Sequence, residues 1–254
     1  MSNHTQNNFI RHVCDNLPER RGGKRGPNPI PKEIIITELF KLFRTNCGWR
    51  NIKHSSTCRE YLKEIHRRGL LTRFFHFMNQ DIRKFRLQKT IIDSSDIVSY
   101  NTNGLVKYSG KYHNYCVKIT VETTPEYVPV WFSINTGSTS DSEILDKKVN
   151  SKSKLPYELF LDMGYERYNR RRQLKKLNCQ VRMEMKNKVK NRKRGPRFDL
   201  TDQQKKQRGQ IEKVFAWLKS FAILKNCRLR IKSMLSATFI FCLSYITFMR
   251  LQKL

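Results

Sequence analysis

The stretch KTIIDSSD, residues 89–96, marks the point where the sequence changes from helical to strand-like patterning. It contains a short β-branched run that ends at Asp93. Downstream, YCVKITVE at 115–122 alternates between aliphatic side chains and more polar ones. VPVWFSI at 128–134 follows after the turn signal Pro125, and the two segments together predict a β-hairpin. PYELFLDMGY then gives a strand that ends at Asp162. Strands followed by helices predict an α/β sheet flanked by helices.

The sequence before residue 89 predicts helices. One helix begins after Pro31, TNCGWRN at 45–51 interrupts it, and further helical patterns run over 57–68 and 70–84. Three short helices with basic exposed residues resemble a helix-turn-helix module, although an ordinary helical bundle fits as well. The first 30 residues are polar and basic and read as a flexible arm. The predicted organisation is an arm at 1–30, a helical DNA-binding domain at 31–88 and an α/β domain at 89–254.

The charge of the chain predicts a polyanionic partner. The 254 residues carry 51 Lys and Arg against 21 Asp and Glu, a net charge of +30. Such a chain binds polyanions through phosphate contacts and counterion release. A hydrophobic content of 38% excludes a purely disordered basic tail. A basic ribosome-associated or chromatin-like protein remains an alternative on composition.

Cysteine usage and the hydrophobic runs bear on localisation. Seven dispersed cysteines form no C-x-x-C pair, which favours free thiols in a reducing cytoplasm over a zinc ribbon or a disulfide framework. The N-terminus lacks a signal-peptide core. The longest apolar run, 234–249, has 16 residues and is short for a membrane span. It predicts a buried helix, and we expect no membrane partner.

The stretch RGQIEKVFAWLK at 208–219 reads as one amphipathic helix with a single acid between two bases. Arg208, Glu212 and Lys219 are spaced by four and seven residues, which places them within roughly 40° of one another on a helix. This arrangement suits a carboxylate that holds a divalent metal beside a phosphate backbone. The simpler alternatives are an i,i+4 ion pair between Arg208 and Glu212 and a solvated charge at Lys219.

The acids Asp93, Asp162 and Glu212 form a candidate metal site. Carboxylates at strand ends can converge at one sheet edge, and a helix packed there can deliver a third. Two divalent ions about 4 Å apart can activate a nucleophile and stabilise the leaving oxygen in phosphoryl transfer. Each acid alone is more often a turn, a cap or an ion-pair residue.

Two other acids have local explanations. Asp96 lies beyond the hydrophobic run and reads as a turn residue. STSDSE, which contains Asp141, reads as an N-cap segment.

A strongly basic run at 165–197 carries 14 Lys and Arg against two acids. A charge run is usually a solvated face or a localisation patch. Its position between two candidate catalytic acids favours contact with nucleic acid. The candidate DNA-binding residues are Arg170, Arg171, Arg172, Lys193 and Arg194.

Three ordered blocks resemble the DDE transposases of prokaryotic insertion sequences. IIDSSDIVS holds Asp93 at the position of the first family acid, and LFLDMGYE holds Asp162 at the second. RGQIEKVFAWLK fits the family pattern of Arg, three residues, Glu, six residues and Lys. The likeness extends through SGKYHNYCVKITVETTPEYVPVWFSINTGSTSDSEIL, NRKRGPRFDL, and RGPNPIPKEII with GWRNI.

The resemblance implies a ribonuclease H-like catalytic domain that cuts and joins DNA. Asp93, Asp162 and Glu212 would hold two Mg²⁺ ions, with Mn²⁺ as a substitute, while Arg208 and Lys219 contact phosphates near the scissile bond. Water would attack the phosphodiester at the element end, and the freed 3′-hydroxyl would attack target DNA. The implied partners are double-stranded DNA, as terminal inverted repeats and target, and a second copy in a homodimer on DNA. The implied location is the cytoplasm, in association with the nucleoid.

Two other hypotheses stay open. A DNA-binding protein derived from such an enzyme needs only the basic surface and no catalysis. An RNA-binding or ribosome-associated protein needs neither acids at strand ends nor a metal. The presence of all three acids in their motif blocks favours the enzyme.

Overall fold

The structure is a computed structural model. It describes residues 3–18, 30–84, 87–99, 104, 106–110, 113–151, 154–165, 170–183, 200–225, 227, 229 and 231–254.

Helices dominate both ends of the described chain, and the strands lie between them. The helices are α1 (Asn3–Asn16), α2 (Lys32–Thr45), α3 (Ser55–Arg67), α4 (Leu70–Met78), α5 (Gln80–Lys84), α6 (Asp141–Asn150), α7 (Arg170–Lys176), α8 (Asp202–Gly209), α9 (Ile211–Lys219), α10 (Ala222–Lys225) and α11 (Lys232–Leu251). Short 3₁₀ helices occupy Trp49–Asn51 and Met163–Tyr165. The strands are β1 (Lys89–Val98), β2 (Lys107–Ser109), β3 (Asn114–Thr123), β4 (Pro129–Thr136), β5 (Glu158–Leu161) and β6 (Gln180–Met183).

The described strands form one mixed sheet in the order β2-β3-β1-β5-β6, with β4 also paired to β3. The pairs β2–β3 and β3–β4 are antiparallel, whereas β1–β5 and β5–β6 are parallel. The connections into β5 and β6 contain α6 and α7, as parallel pairing requires a crossover. The predicted α/β fold, a mixed sheet flanked by helices with a helical N-terminal region, is confirmed.

The predicted hairpin is β3 and β4. Ile119 pairs with Ile134 and Val121 with Phe132. The strands reverse in a turn that begins at Thr124, with Pro125 at the position where its fixed φ favours a turn. The more polar face of β3 carries Lys118 and Glu122. It is shielded from solvent by α6, whose Asp141 and Lys148 pair with these two residues.

The described chain separates into two compact units. Unit 1 comprises 1–80, 97–104 and 216–254, and unit 2 comprises 81–96 and 105–215. Packing thus groups the last helices with the N-terminal helices, whereas the sequence placed them in the 89–254 segment.

Unit 1 is a helical assembly with an aromatic core. The rings of Phe40, Phe241 and Tyr245 lie 5.1 to 6.2 Å from the ring of Phe9 in α1. Phe9 is fully buried. The predicted flexible arm is therefore wrong for residues 3–16. The polar sequence there carries Phe9, Ile10 and Val13 on one helical face, and their burial stabilises the helix.

The apolar run near the C-terminus forms α11. By length and composition alone this helix is sufficient to cross a membrane, but 72% of its most apolar 18-residue window is buried inside the protein. It packs against α4, α3 and α1. The prediction of a buried core helix is confirmed.

Unit 2 is built on the sheet. Buried apolar side chains of β1, α6, β5, α7 and β6 form its core cluster, which consists of Ile92, Leu145, Leu155, Leu159, Leu161, Tyr165, Leu174, Cys179 and Met183. A buried ion pair fixes α6 to the sheet, with Lys148 Nζ 2.6 Å from Glu122 Oε2 and both side chains at most 4% exposed. Thr90 Oγ1 donates to the other oxygen of Glu122 at 2.7 Å.

We expect Lys148→Met to lower the free energy of unfolding by about 3–5 kcal/mol, because it leaves the Glu122 carboxylate buried without its cation. The matched control is Lys147→Met, since Lys147 pairs with Glu143 on the exposed side of the same helix. Its effect should be about 1 kcal/mol or less. Urea denaturation measures both, and equal losses would show that the buried pair does not anchor α6.

Candidate active site

Two aspartates lie at the same level of two neighbouring parallel strands, Asp93 within β1 and Asp162 just after β5. Ile91 of β1 pairs with Phe160 of β5, and two residues beyond each partner lie Asp93 and Asp162. Adjacent strands are about 4.8 Å apart, so this register brings the two residues side by side. β5 ends at Leu161, while β1 continues to Val98. Asp162 therefore lies just past the carboxyl end of β5, the kind of position at which open α/β sheets bind ligands, and Asp93 lies at the same level within β1.

Each of the two carboxylates accepts a hydrogen bond from the following backbone. Ser94 N–H donates to Asp93 Oδ1 at 2.7 Å, and Met163 N–H donates to Asp162 Oδ1 at 2.7 Å. Such bonds hold each carboxylate close to its own chain, and the bond from Ser94 lowers the pKa of Asp93. The two side chains are half-buried, so each remains accessible.

The electrostatic environment of Asp93 is unusual for a carboxyl group. Its pKa is raised to about 6, chiefly by burial and to a smaller extent by the negative charges of Asp162 and Asp141. The Ser94 hydrogen bond and the positive charge of Arg208 act in the opposite direction. Asp93, Asp162 and Asp141 therefore interact electrostatically, with Arg208 as a compensating cation. A strongly perturbed carboxyl group in an open sheet end is a functional-site candidate.

Asp141 belongs to this site, although its sequence context predicted only a capping role. The N-cap of α6 is Ser140, whose hydroxyl accepts from Glu143 N–H. Asp141 is the first residue of α6, and its Oδ1 lies 3.1 Å from Lys118 Nζ on β3. The signal in the sequence was Lys118 itself, a basic residue inside a strand whose neighbours are apolar or small.

A chain of hydroxyl groups runs across the floor of the site. Ser94 Oγ lies 2.8 Å from Thr120 Oγ1 and 2.7 Å from Tyr165 Oη. Tyr165 is completely buried. Burial is the main cause that raises the pKa of its hydroxyl well above the usual value, and the nearby carboxylates add to the effect. Tyr165 therefore stays neutral and can anchor the turn after Asp162 to β1 and β3.

The structure corrects the reading of Asp96 as a turn residue. Asp96 lies within β1 and is buried, and its Oδ2 accepts a hydrogen bond from Ser109 Oγ at 2.9 Å. This bond links β1 to β2 and gives the carboxylate a structural role.

The predicted single helix at 208–219 is two helices. α8 ends at Gly209 and α9 begins at Ile211, with Gln210 between them in helical backbone geometry. Arg208 thus belongs to α8, and its charge acts on Asp93. Glu212 lies in the first turn of α9 and is exposed. Within the described chain, no group of three His, Cys, Asp or Glu residues is arranged to hold a metal ion.

The predicted DNA-binding residues are only partly described. Arg170–Arg172 open α7, where the side chain of Arg172 is exposed. Lys219 ends α9 and is exposed. The side chains of Arg170 and Arg171, and both Lys193 and Arg194, lie outside the described residues.

Comparisons with known proteins bear on this site. The family model for the transposase DDE domain matches residues 84–246, well over half of the chain, and its range includes Asp93, Asp162 and Glu212. The cryo-EM structure of a piggyBac transposase synaptic complex with hairpin DNA is similar, with a TM-score of 0.52 over 97% of this chain and 71% of that chain. At 9% identity this likeness shows a shared fold. A search among curated proteins found no match.

We expect Asp162→Asn to lower the pKa of Asp93 from about 6, because it removes a negative charge that opposes ionisation. Arg208→Gln should raise that pKa, because it removes a stabilising cation. Carbon-13 NMR titration of the Asp93 carboxyl group in metal-free buffer measures both shifts. Glu143→Gln, on an exposed residue of α6, is the control, and shifts in the reverse directions would refute this electrostatic assignment.

Proposed function

Because this chain belongs to the DDE transposase domain family, we propose that it is a DNA transposase that cuts the ends of its mobile element and joins them to target DNA. The observation that carries the proposal is the placement of Asp93 within β1 and of Asp162 just past β5, each two residues beyond the paired residues Ile91 and Phe160. This carboxylate pair lies in a chain with a net charge of +30, which suits a DNA substrate.

The donor chemistry of the pair fits a hard divalent cation. Carboxylate oxygens are the ligands that Mg²⁺ prefers, and Mn²⁺ accepts the same donors. Burial and mutual repulsion disfavour the charged form of Asp93, and a bound cation would relieve both. We propose that Asp93 and Asp162 hold the metal and that Glu212, exposed at the start of α9, supplies a third carboxylate. When bound, two such ions would activate the attacking water or 3′-hydroxyl and stabilise the leaving oxygen.

The residues of the chain have defined tasks in this proposal. Arg208, close enough to act on Asp93, binds a phosphate beside the scissile bond. Lys219 extends the contact along α9, seven residues beyond Glu212. The basic run that contains Arg170, Arg171, Arg172, Lys193 and Arg194 binds the backbone of the duplex. At neutral pH Asp93 is mostly ionised, because its pKa of about 6 lies below that pH.

The proposed partners follow from the same surface. Double-stranded DNA at the terminal inverted repeats and at the target supplies the substrate, and two copies of the chain act together on it. The piggyBac structure supports a DNA partner, since it is a complex with hairpin DNA. The proposed location is the cytoplasm, on the nucleoid of a cell that carries the insertion sequence.

A second candidate is a transposase-derived DNA-binding protein without catalysis. It is favoured by Glu212, which is exposed, and by the finding that no three acids within the described residues are arranged for metal. Metal-dependent cutting distinguishes the two candidates, because only the enzyme requires the carboxylates.

We expect Asp162→Asn to abolish cutting of an element end while DNA binding persists. The change keeps the size of the side chain and removes a charge that holds the metal. Glu212→Gln should behave alike. Cleavage assays with Mg²⁺ or Mn²⁺, run beside gel-shift assays, measure the two activities.

The outcomes of this experiment separate the candidates. Equal cutting by wild type and Asp162→Asn would refute the metal role of Asp162. A wild-type protein that binds element ends and never cuts them with either metal would support the non-catalytic candidate.

We expect replacement of Arg170, Arg171 and Arg172 by Ala to weaken duplex binding and to flatten its dependence on salt. Each lost phosphate contact reduces the slope of log affinity against log salt by about 0.9. Fluorescence anisotropy across a salt series measures the slope. The control is Lys147→Ala, which removes the partner of Glu143 on an exposed face of α6, outside the predicted DNA-binding segments. An unchanged slope in the triple variant would place the duplex on another surface.

A further inference from the structure

The ion pair between Lys118 and Asp141 connects the sheet to the helix beside the two aspartates. Lys118 Nζ lies 3.1 Å from Asp141 Oδ1, and the side chains are only 13% and 24% exposed. Lys118 is two residues before Thr120 on β3, so the two side chains share a face, and Thr120 reaches Ser94 of β1. The ion pair therefore lies on the same face as the hydroxyl chain.

The second oxygen of Asp141 faces the turn that follows Asp162. A methyl group added at Gly164 would lie 2.9 Å from Asp141 Oδ2, closer than carbon and oxygen atoms normally approach. The backbone of Gly164 thus passes directly against the carboxylate. A side chain at this position would therefore displace the Asp141 carboxylate.

The same turn is attached to the sheet on its other side. Tyr165 N–H donates to Asp162 C=O at 3.1 Å, and Tyr165 Oη lies 2.7 Å from Ser94 Oγ. The turn at Met163–Tyr165 is therefore held between the Asp141 carboxylate and the hydroxyl of Ser94. The Asp162 carboxylate takes its hydrogen bond from the first residue of this turn.

We propose that Lys118 and Asp141 are positioning residues, which fix the turn at Met163–Tyr165 and thereby the Asp162 carboxylate beside Asp93. Lys118 orients Asp141 through Oδ1, and the Asp141 side chain limits the movement of the turn by packing beside Gly164. The ion pair engages Oδ1, and Oδ2 faces the Gly164 backbone. The effect on catalysis rests on the proposed transposase function, whereas the effect on the turn does not.

The test compares three variants with a matched control. Asp141→Asn removes the charge that holds Lys118, Asp141→Glu keeps the charge but lengthens the side chain toward Gly164, and Gly164→Ala pushes on the carboxylate directly. The control is Glu143→Gln, which breaks an exposed ion pair two residues further along α6. Lys118→Arg keeps the cation and should retain the wild-type behaviour.

The first readout is amide hydrogen exchange. We expect exchange at Met163, Gly164 and Tyr165 to accelerate by at least about tenfold in the three variants, as local opening becomes easier. Amides in β3 and β4 should keep their wild-type rates, which excludes global unfolding. The second readout is the cutting rate at saturating DNA, which should fall by roughly 100-fold, since a displacement near 1 Å has that effect. DNA affinity should stay within about twofold, because the basic surface is unchanged.

The results distinguish failure of this inference from failure of the proposed function. Wild-type exchange and cutting in Gly164→Ala and Asp141→Glu would overturn the positioning role, even where Asp141→Asn does not fold. A wild-type protein without cutting activity would refute the proposed function, and the exchange rates would then decide the positioning role alone. Acceleration throughout the sheet in every variant would assign the pair to general stability and overturn the inference.

Discussion

Parallel pairing of β1 with β5 brings two carboxylates together, and the rest of unit 2 accommodates their repulsion. Ile91 pairs with Phe160, and Asp93 and Asp162 each lie two residues further along, so the register places them at the same level of neighbouring strands. Like charges at this spacing disfavour ionisation unless cations and donors compensate. Two backbone N–H groups and the Arg208 charge supply part of that compensation. The sheet opens here because β5 is short, which leaves the carboxylates accessible to a ligand.

Local patterns in the sequence determined what could be predicted. The hairpin at 114–136 was predictable because β-branched strands flank a turn that contains Pro. Each strand is at most ten residues long, so the pattern that predicts it is local in the sequence. The helix at 3–16 was missed because its three buried apolar residues are dispersed among polar ones, and only tertiary burial shows that they share a face. The break at Gln210 was missed for a related reason. Gly209 lowers helix propensity, but propensity alone does not fix where a helix ends.

The site was partly predictable for the same reason. Asp93 and Asp162 could be found because each follows a strand-like apolar run, although the prediction that Asp93 ends its strand was wrong, since β1 continues to Val98. Asp141 could not, since its partner Lys118 is 23 residues away in the chain and the contact exists only when α6 covers β3. The local sequence around Asp141 is explained by the start of a helix. That explanation is correct for Ser140, which caps α6, but it does not account for the ion pair of Asp141. Non-local ion pairs of this kind leave no periodic signal in a sequence.

The raised pKa of Asp93 has a consequence for any cation that the site takes. A carboxyl group with a pKa of about 6 is disfavoured as an anion by burial and by its acidic neighbours. The folded chain therefore bears that cost whenever the site is ionised and lacks a cation. A divalent ion would remove the cost as it binds, so repulsion between carboxylates contributes to affinity instead of opposing it. Protons compete for the same oxygens, and binding of a cation should release them.

The excess of Lys and Arg elsewhere need not weaken the cation site, because screening in physiological salt acts over about 8 Å. Acids gathered at one sheet end and bases spread along the chain can therefore serve a metal and a DNA backbone in the same protein.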